Sequence, residues 1–326
     1  MDIEYLLLLQ NFRNEIGAFL SPFMLWITKF SVSFFPLALI FMIYWAFDRK
    51  AGKRMIGGFS LASFMNGFLK LTFCVYRPWI RDTRILPFGD SKITATGYSF
   101  PSGHSTAATS RFGSIAIWTG KKYKIVTTVM IAMFLLTMFS RNFLGVHTPQ
   151  DVIVGCLSTL CVLFLDYAIE NWSDKAPDKR DIIIMISGIA IVTAAYIYYK
   201  YKSFPLDYNA EGKLIVDPKK MIPDSFVGIG SCLAYVVCRY FERRGYDFES
   251  ELNWKERFVI GIFALIPAMW WNNHIYNICS AFNLKLLGKF LYLSGLIFYV
   301  MILVPSLMKK IAQSKILDKI YTKLRT

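Results

Sequence analysis

Two of the three histidines in this 326-residue chain lie in short polar segments between long apolar stretches. His104 follows Pro101-Ser102-Gly103, and His147 stands four residues before Asp151. If a helix includes both His147 and Asp151, the carboxylate can accept a proton from one ring nitrogen and leave the other as a nucleophile. The segment beginning at Thr148-Pro149 also fits a capping box, in which Asp151 serves only the helix start. Both roles can hold at once.

Two cations precede these segments. Lys70 and Arg77 are seven residues apart, which is nearly two helical turns, so we expect both to project from one side of a helix near its end. Snorkelling towards the membrane interface is the alternative for either residue. Lys70 lies about two turns inside the helix end, where an unpaired charge is costly. It should therefore face a polar cavity.

The break at Pro101-Ser102-Gly103 comes directly before an apolar helix. Free backbone N–H groups at a helix start, together with the helix dipole, favour an anion. Gly103 lets the backbone approach closely, and Ser102 or Ser105 can add a hydroxyl donor. The alternative is an ordinary N-cap at Ser102. Arg141, at the end of a later apolar stretch, adds a third cation, so the pattern favours a phosphate ester as the ligand.

The composition predicts the element that must position these groups. The chain is 55% hydrophobic and 18% charged, against about 25% charged in an ordinary soluble domain. Its apolar residues form continuous blocks, which favours helices over a barrel. We therefore expect an all-α integral membrane protein with a bundle of about nine transmembrane helices. The predicted spans are 33–47, 55–76, 104–120, 125–140, 152–172, 182–199, 225–241, 257–271 and 285–308. Residues 1–30 read as an amphipathic or partly inserted helix, and the sequence leaves open whether it crosses the membrane.

The net charge of +15 fits this class better than a nucleic-acid partner, because Lys and Arg cluster in short loops beside apolar spans. The basic loops at 48–54, 121–124, 173–180 and 242–256 and the tail after 308 fall on one face, which the positive-inside rule makes cytoplasmic. The loops at 78–103 and 141–150 then lie on the extracytoplasmic face with all the motif residues. The loop at 200–224 falls on the extracytoplasmic face too, and its lysines weaken the difference in positive charge between the two faces.

Several other polar residues fit structural roles. The six cysteines lie in or beside apolar segments and are expected to be buried small hydrophobes rather than ligands or disulfides. His274 follows Trp270-Trp271 and fits an interfacial aromatic belt. Asp166 lies within the fifth span and is expected near its cytoplasmic end, partly hydrated.

The order Lys-x6-Arg-Pro, Pro-Ser-Gly-His and Ser-Arg-x5-His-x3-Asp resembles the type 2 phosphatidic acid phosphatase (PAP2) family. The resemblance covers about residues 53–170. It implies that His147 forms a phosphohistidine, that Asp151 orients it, and that His104 protonates the leaving alcohol and then serves as base for water. It also implies that the phosphoryl oxygens are bound by Lys70, Arg77, Ser102, Gly103 and Arg141.

Three segments follow from this interpretation: an N-terminal amphipathic helix and first span at 1–52, a PAP2-like catalytic core at 53–171, and C-terminal transmembrane helices with a basic tail at 172–326. The expected activity is a lipid phosphate phosphatase in the cell membrane that needs no metal and no cofactor. A polyprenyl (undecaprenyl) diphosphate phosphatase is the specific alternative. The same residues would also serve a lipid phosphotransferase, and the extra helices leave a transporter open.

Overall fold

The structure of the chain is a computed structural model that describes residues 2–245 and 252–325. Within these ranges every regular element beyond one isolated β-bridge is a helix, which confirms the predicted all-α class. Nine of the described helices are continuous: α1 Asp2–Val32, α3 Arg49–Phe73, α4 Pro78–Arg81, α5 Ser91–Thr94, α7 Lys124–Phe143, α8 Pro149–Asp174, α9 Pro177–Tyr201, α10 Pro218–Gly245 and α11 Trp254–Ala281. The other three contain a π-helical turn. These are α2, with Phe34–Met42 and the turn Ile43–Phe47; α6, with Gly103–Ala108, the turn Thr109–Gly113 and Ser114–Thr119; and α12, with Lys285–Phe298, the turn Tyr299–Leu303 and Val304–Arg325.

Among the described residues, seven helices are long and apolar enough to cross a membrane, or up to eight if the bent pair Phe19–Val32 and Phe34–Phe47 forms one span. Helix α6 is shorter but runs between the same two ends of the bundle. This architecture confirms the predicted helical membrane bundle, with seven or eight qualifying spans where the sequence predicted about nine. The predicted basic loop at 242–256 includes residues 246–251, which lie outside the described ranges.

The polar residues at the helix starts explain where the chain turns. The Asp48 carboxylate accepts from the Ala51 N–H at 2.9 Å and caps α3. Thr148 and Asp151 form a complete capping box at the start of α8, with Pro149 in the first turn. Side-chain caps satisfy backbone donors that would otherwise face the membrane interior unpaired. The predicted helix start at Thr148-Pro149 is confirmed.

The prediction that Lys70 and Arg77 share one helix is wrong. Helix α3 ends at Phe73 because Cys74 adopts a left-handed conformation with φ 51°, and Pro78 then begins α4. Arg77 is the residue before that proline, which restricts it to extended backbone. The two cations still reach one cavity, but from a helix and from the loop that follows it.

Helix α1 contacts the segment formed by α4 and the loop between α4 and α5, from near the start of the helix to near its end. Near its start, Asp2 pairs with Arg81 at 2.8 Å. Arg13 donates to the Leu86 carbonyl at 2.6 Å, and near the helix end Lys29 pairs with Asp90 at 2.6 Å. The helix therefore packs across the end of the bundle that carries the motifs, and it continues through Pro22 without interruption.

The C-terminal helices pack directly onto the motif-bearing part of the chain. Helix α10 contacts α3, α9 and α12, and α12 also contacts α11. Trp45 in α2 is fully buried and donates its indole N–H to the Val300 carbonyl at 2.9 Å. On α10, a Cβ added at Gly228 would lie 2.7 Å from the Ser63 carbonyl oxygen of α3. Residues 172–326 therefore share one core with the motif region.

Buried charges join three helices at the other end of the bundle. Arg239 of α10 binds Glu170 of α8 and, at 2.7 Å, Asp181 of α9. All three side chains are at most 1% exposed. Asp166, one turn before Glu170, is also buried and accepts from the Tyr235 hydroxyl at 3.4 Å. The expectation that Asp166 is partly hydrated is therefore wrong, because α10 covers it.

The cysteines and the third histidine are placed largely as predicted. All six cysteines are free, and four of them are buried. Cys161 is exposed and Cys74 is half-buried, so the prediction of burial fails at these two positions. His274 is exposed and lies 5.5 Å from the Trp270 ring, as expected of an aromatic belt.

Candidate active site

A cavity of about 370 Å³ opens at the motif-bearing end of the bundle. The predicted site residues that line it are Lys70, Arg77, Gly103, His104 and His147. They come from α3, from the loop that follows it, from the start of α6 and from the turn between α7 and α8. Ser102, Arg141 and Asp151 lie directly behind this lining. The three sequence motifs therefore meet at one place.

The two neighbours of His147 define its tautomer. Arg77 Nη1 lies 2.9 Å from Nε2 of His147. A guanidinium only donates hydrogen bonds, so Nε2 accepts in this contact and carries a lone pair. The proton of the neutral ring is then on Nδ1, which faces Asp151 Oδ2 at 3.3 Å. Nε2 is therefore the nitrogen with nucleophilic character, and it is the one beside Arg77.

Asp151 is held by three donors on the same oxygen. Oδ2 accepts from the Thr148 N–H at 2.8 Å, from the Ser99 hydroxyl at 2.5 Å and from His147 Nδ1. The carboxylate thus completes the capping box and orients the imidazole at the same time, so both roles considered for it coexist. Sequence reasoning missed Ser99. Ser99 belongs to none of the three motifs and lies 52 positions before Asp151, so the sequence carried no signal for this contact.

Arg77 is anchored before any ligand arrives. It is 4% exposed, and its guanidinium donates to three carbonyls: Gly97 at 3.1 Å, Thr96 at 2.8 Å and Val146 at 3.2 Å. Because the backbone fixes the guanidinium plane, its positive charge stays beside His147. Such preorganised charge stabilises a developing anion without the cost of reorganisation.

Lys70 reaches across from α3 to the loop before α6. Its Nζ donates to the carbonyls of Tyr98 at 3.0 Å and Pro101 at 3.1 Å. An ammonium group has three donors, so one stays available to the cavity. The expectation that Lys70 faces a polar cavity rather than the membrane interface is confirmed.

Ser102 caps the helix that carries His104. Its hydroxyl oxygen accepts from the Ser105 N–H at 3.3 Å and from the Ser105 hydroxyl at 3.0 Å, and its side chain is fully buried. The cavity at this point is lined by Gly103 and His104. The structure thus gives Ser102 the N-cap role, and the proposed hydroxyl contact to a ligand stays a prediction.

Arg141 lies behind the cavity wall, fully buried at the end of α7. Its Nη1 donates to the Thr28 hydroxyl of α1 at 3.0 Å. Within the described part of the chain, its Nε and Nη2 have no hydrogen-bond partner. An unpaired guanidinium is costly in an apolar interior, and the role of these donors in binding phosphate stays a prediction.

The surroundings of His147 favour its neutral form. Burial, and after it the positive charge of Arg77, hold the pKa of this imidazole well below its ordinary value of 6.5, although the carboxylate of Asp151 acts in the opposite direction. At neutral pH the ring therefore keeps the lone pair that nucleophilic attack requires.

Residues of the C-terminal helices form the remaining wall of the cavity. Met221, Ser225 and Gly228 come from α10, and Lys289 and Leu293 come from α12. Lys289 pairs with Asp224 at 2.9 Å at this wall. No motif marked these residues, because only the tertiary packing brings them to the site. In the ranges 2–245 and 252–325, no group of three or more His, Cys, Asp or Glu side chains could hold a metal ion.

Comparison with known proteins bears on the same segment that supplies most of this site. Residues 51–175 match the PAP2 superfamily. This match confirms the resemblance drawn from the three motifs. An undecaprenyl-diphosphatase from Sulfolobus acidocaldarius is 27% identical over 162 residues, which cover 48% of this chain and 74% of that protein. No solved structure matches the chain significantly. The PAP2 match, together with the apolar helices, supports a lipid phosphatase of the membrane.

Proposed function

We propose that this protein hydrolyses a lipid phosphate through a phosphohistidine on His147, at the extracytoplasmic face of the cell membrane and without a metal ion. The observation that carries the proposal is the pair of contacts on the two nitrogens of His147. The protonated nitrogen, Nδ1, faces Asp151. Nε2, which carries the lone pair, faces the fixed guanidinium of Arg77 in an open cavity.

The first chemical step follows from this geometry. A bound phosphoryl group takes over Arg77 Nη1 as a donor, which frees the Nε2 lone pair of His147 to attack phosphorus. An N–P bond forms, and the bond between phosphorus and the leaving oxygen breaks. His104, in its protonated form and lining the same cavity, donates a proton to that oxygen. Asp151 stabilises the positive charge that the ring gains.

The second step releases phosphate. His104, now neutral, accepts a proton from a water molecule, whose oxygen attacks phosphorus and breaks the N–P bond. Lys70, Arg77, Arg141 and the Gly103 N–H stabilise the negative charge on the equatorial oxygens in both steps. These positive groups supply the field that a divalent ion supplies in other phosphatases. We therefore expect activity in the presence of EDTA.

The experiment is phosphate release from a panel of diacyl, polyprenyl and sphingoid phosphates by the purified protein with EDTA present. The His147→Ala variant should lose at least about 10³-fold in kcat. The wild-type protein should form an acid-labile phosphoprotein during turnover, and the His104→Ala variant should lose activity because its first step lacks the acid and its second step lacks the base. Full activity of the His147→Ala variant would refute the mechanism, and phosphate found on a second alcohol rather than in solution would indicate a phosphotransferase.

A polyprenyl diphosphate phosphatase is the second, more specific candidate. It is favoured by the similarity to the undecaprenyl-diphosphatase of Sulfolobus acidocaldarius, which extends over three quarters of that protein. The diacyl and polyprenyl members of the substrate panel distinguish this candidate from a phosphatidic acid phosphatase.

A further inference from the structure

Arg111 is a cation of the cavity that belongs to none of the three motifs. It lies in the π-helical turn Thr109–Gly113 of α6, seven residues after His104, and both side chains line the same cavity. π-Helical turns inside α-helices occur often at functional sites. The turn here places an arginine deeper in the bundle than the catalytic histidines.

Only one arm of the Arg111 guanidinium is engaged within the described ranges. Its Nη1 donates to the carbonyls of Ser31 at 3.0 Å and Ser33 at 3.2 Å. These carbonyls lie at the break between α1 and α2, so the contact fixes the side chain. A guanidinium has five N–H donors, and Nε and Nη2 carry three of them. These three make no further hydrogen bond to the described residues.

The cavity offers Arg111 no counter-charge. Among the described lining residues Asp224 is the single carboxylate, and it pairs with Lys289 at 2.9 Å. Arg111 forms no ion pair in residues 2–245 and 252–325. An arginine inside a membrane bundle without an acidic partner is costly and marks a binding site for an anion.

A purely structural role does not require the charge. The two carbonyls at the helix break need hydrogen-bond donors, which an uncharged donor supplies as well as a cation does. The structural contact therefore does not explain why the side chain at position 111 is positively charged.

The position of Arg111 constrains the anion. Seven helical residues correspond to about 10 Å along the axis, and the long side chain of Arg111 shortens this distance because helical side chains tilt towards the N-terminus, where His104 lies. A ligand that contacts both residues therefore carries charge at two successive depths of the bundle. A lipid monophosphate carries its charge only at the end held by Arg77. A diphosphate lipid carries a second phosphate between that end and the hydrocarbon tail.

We propose that Arg111 binds the lipid-proximal phosphate of a diphosphate lipid while Arg77 and His147 hold the terminal one. This inference rests on the proposed function and gives it a substrate class. In the reaction, the bond between the terminal phosphorus and the bridging oxygen breaks, the N–P bond to His147 forms, and His104 protonates the bridging oxygen. The first product is a lipid monophosphate, whose remaining negative charge faces Arg111.

The test compares farnesyl diphosphate with farnesyl monophosphate, which share one tail and differ by one phosphate. The readout is the ratio of the two kcat/KM values for the full-length protein in detergent. The Arg111→Gln variant loses the charge and keeps a polar, uncharged donor at this position. We expect it to lower the ratio about ten- to a hundredfold, as for the loss of a charged hydrogen bond. The Arg111→Lys variant should retain most of the ratio.

The matched control is Arg54→Gln, which removes a half-buried guanidinium at the opposite end of the bundle. Arg54 donates to Asn171 at 2.7 Å and is absent from the lining of the catalytic cavity. Its loss should leave the ratio at the wild-type value. An unchanged ratio in the Arg111→Gln variant would overturn the inference, as would an equal fall in the Arg54→Gln variant.

A binding measurement separates this inference from the proposed function. In a His147→Ala background, which forms no phosphohistidine, calorimetry should show inorganic diphosphate binding more tightly than inorganic phosphate. Adding Arg111→Gln should remove that preference. Equal affinity of both anions for the His147→Ala protein would overturn the inference without any variant at Arg111. Absence of phosphate release from every lipid, with the diphosphate preference intact, would refute the proposed function alone.

Discussion

The site shows how the surroundings of one side chain decide its chemistry. His147 and His104 line the same cavity, but within the described part of the chain only His147 has a carboxylate at one ring nitrogen and a guanidinium at the other. The carboxylate fixes the proton on Nδ1, and the guanidinium marks Nε2 as the acceptor. The proposed division of roles between nucleophile and proton donor rests on these two contacts.

At this residue scale, the lowered pKa of His147 has a consequence for the pH profile. A lowered pKa means that the ring stays neutral at pH values where an ordinary histidine is protonated. The acidic limb of kcat/KM that reports His147 should therefore lie below pH 6.5, and activity should fall as the pH drops through the lowered pKa.

The Arg77→Met variant provides the comparison, because it removes the positive charge that contributes to the shift. The acidic limb of its kcat/KM profile should move to higher pH, and its maximal rate should also be lower. The ionisation of the substrate is common to both proteins and cancels. Coincident acidic limbs in profiles recorded from about pH 4.5 to pH 8 would show that Arg77 has no influence on His147.

Between elements, close approach of α3 and α10 shapes the cavity. A Cβ added at Gly228 would lie 2.7 Å from the Ser63 carbonyl oxygen and 2.8 Å from the Phe64 Cα. Backbone atoms cannot yield as a flexible side chain can, so the helices would have to separate. At Gly67, in the same helix contact, an added Cβ would meet Ser225 at an ordinary 3.5 Å.

The Gly228→Ala variant should therefore lower the thermal midpoint and reduce kcat/KM, with a destabilisation of about 1–3 kcal/mol. The Gly67→Ala variant should stay within about 1 kcal/mol of wild type, because it creates no overlap. Thermal unfolding in detergent and phosphate release measure the two effects. Equal behaviour of the two variants would mean that the contact between α3 and α10 is not as tight as described.

The buried charges at the other end of the bundle give a second test between elements. Removing Arg239 by an Arg239→Met substitution leaves Glu170 and Asp181 buried without their main partner. Loss of one partner of a buried pair costs about 3–5 kcal/mol. The exposed Arg84 pairs with Glu4 and Asp82, and Arg84→Ala should cost at most about 1 kcal/mol.

Reaction of the four buried cysteines with a thiol-reactive fluorophore during heating reports this unfolding. The Arg239→Met protein should expose its thiols at a clearly lower temperature than the Arg84→Ala protein. Indistinguishable melting curves would contradict the assignment of Arg239 as the connection between α8, α9 and α10.

At the scale of the whole molecule, the charge of the loops predicts the orientation in the membrane. The loop between α9 and α10 lies at the motif-bearing end, and the turn between α8 and α9 lies at the opposite end. Lys213 lies in the first of these segments and Asp178 directly after the second, in the first turn of α9, and their side chains are 78% and 99% exposed. They are suitable positions for testing which end faces the outside.

In intact cells, a membrane-impermeant maleimide should label a Lys213→Cys variant and should not label an Asp178→Cys variant until the cells are opened. Both variants are made in a background without native cysteines, because Cys161 is exposed and Cys74 is half-buried. The reverse pattern would place the active site on the cytoplasmic face and refute the positive-inside assignment.

The sequence by itself determined the features that depend on neighbouring residues. Continuous apolar blocks predicted the helices, Thr148-Pro149 predicted the start of α8, and the spacing of His147 and Asp151 predicted their contact. These features are local, because a helix repeats every 3.6 residues and a cap acts within one turn. The one local error was a shared helix for Lys70 and Arg77. It arose because the residue in the left-handed conformation that ends α3 is Cys74 and not a glycine, which is the usual sequence signal for such a helix end.

Only the tertiary structure decided which distant residues complete the site. Ser99 reaches Asp151 over 52 positions, and α10 and α12 close the cavity from a part of the chain beyond the PAP2 match. Only the tertiary structure shows that Arg111 lines the cavity and that the described residues there include no acidic partner for it. Such contacts depend on the packing of helix faces, and that packing leaves no fixed spacing in the sequence.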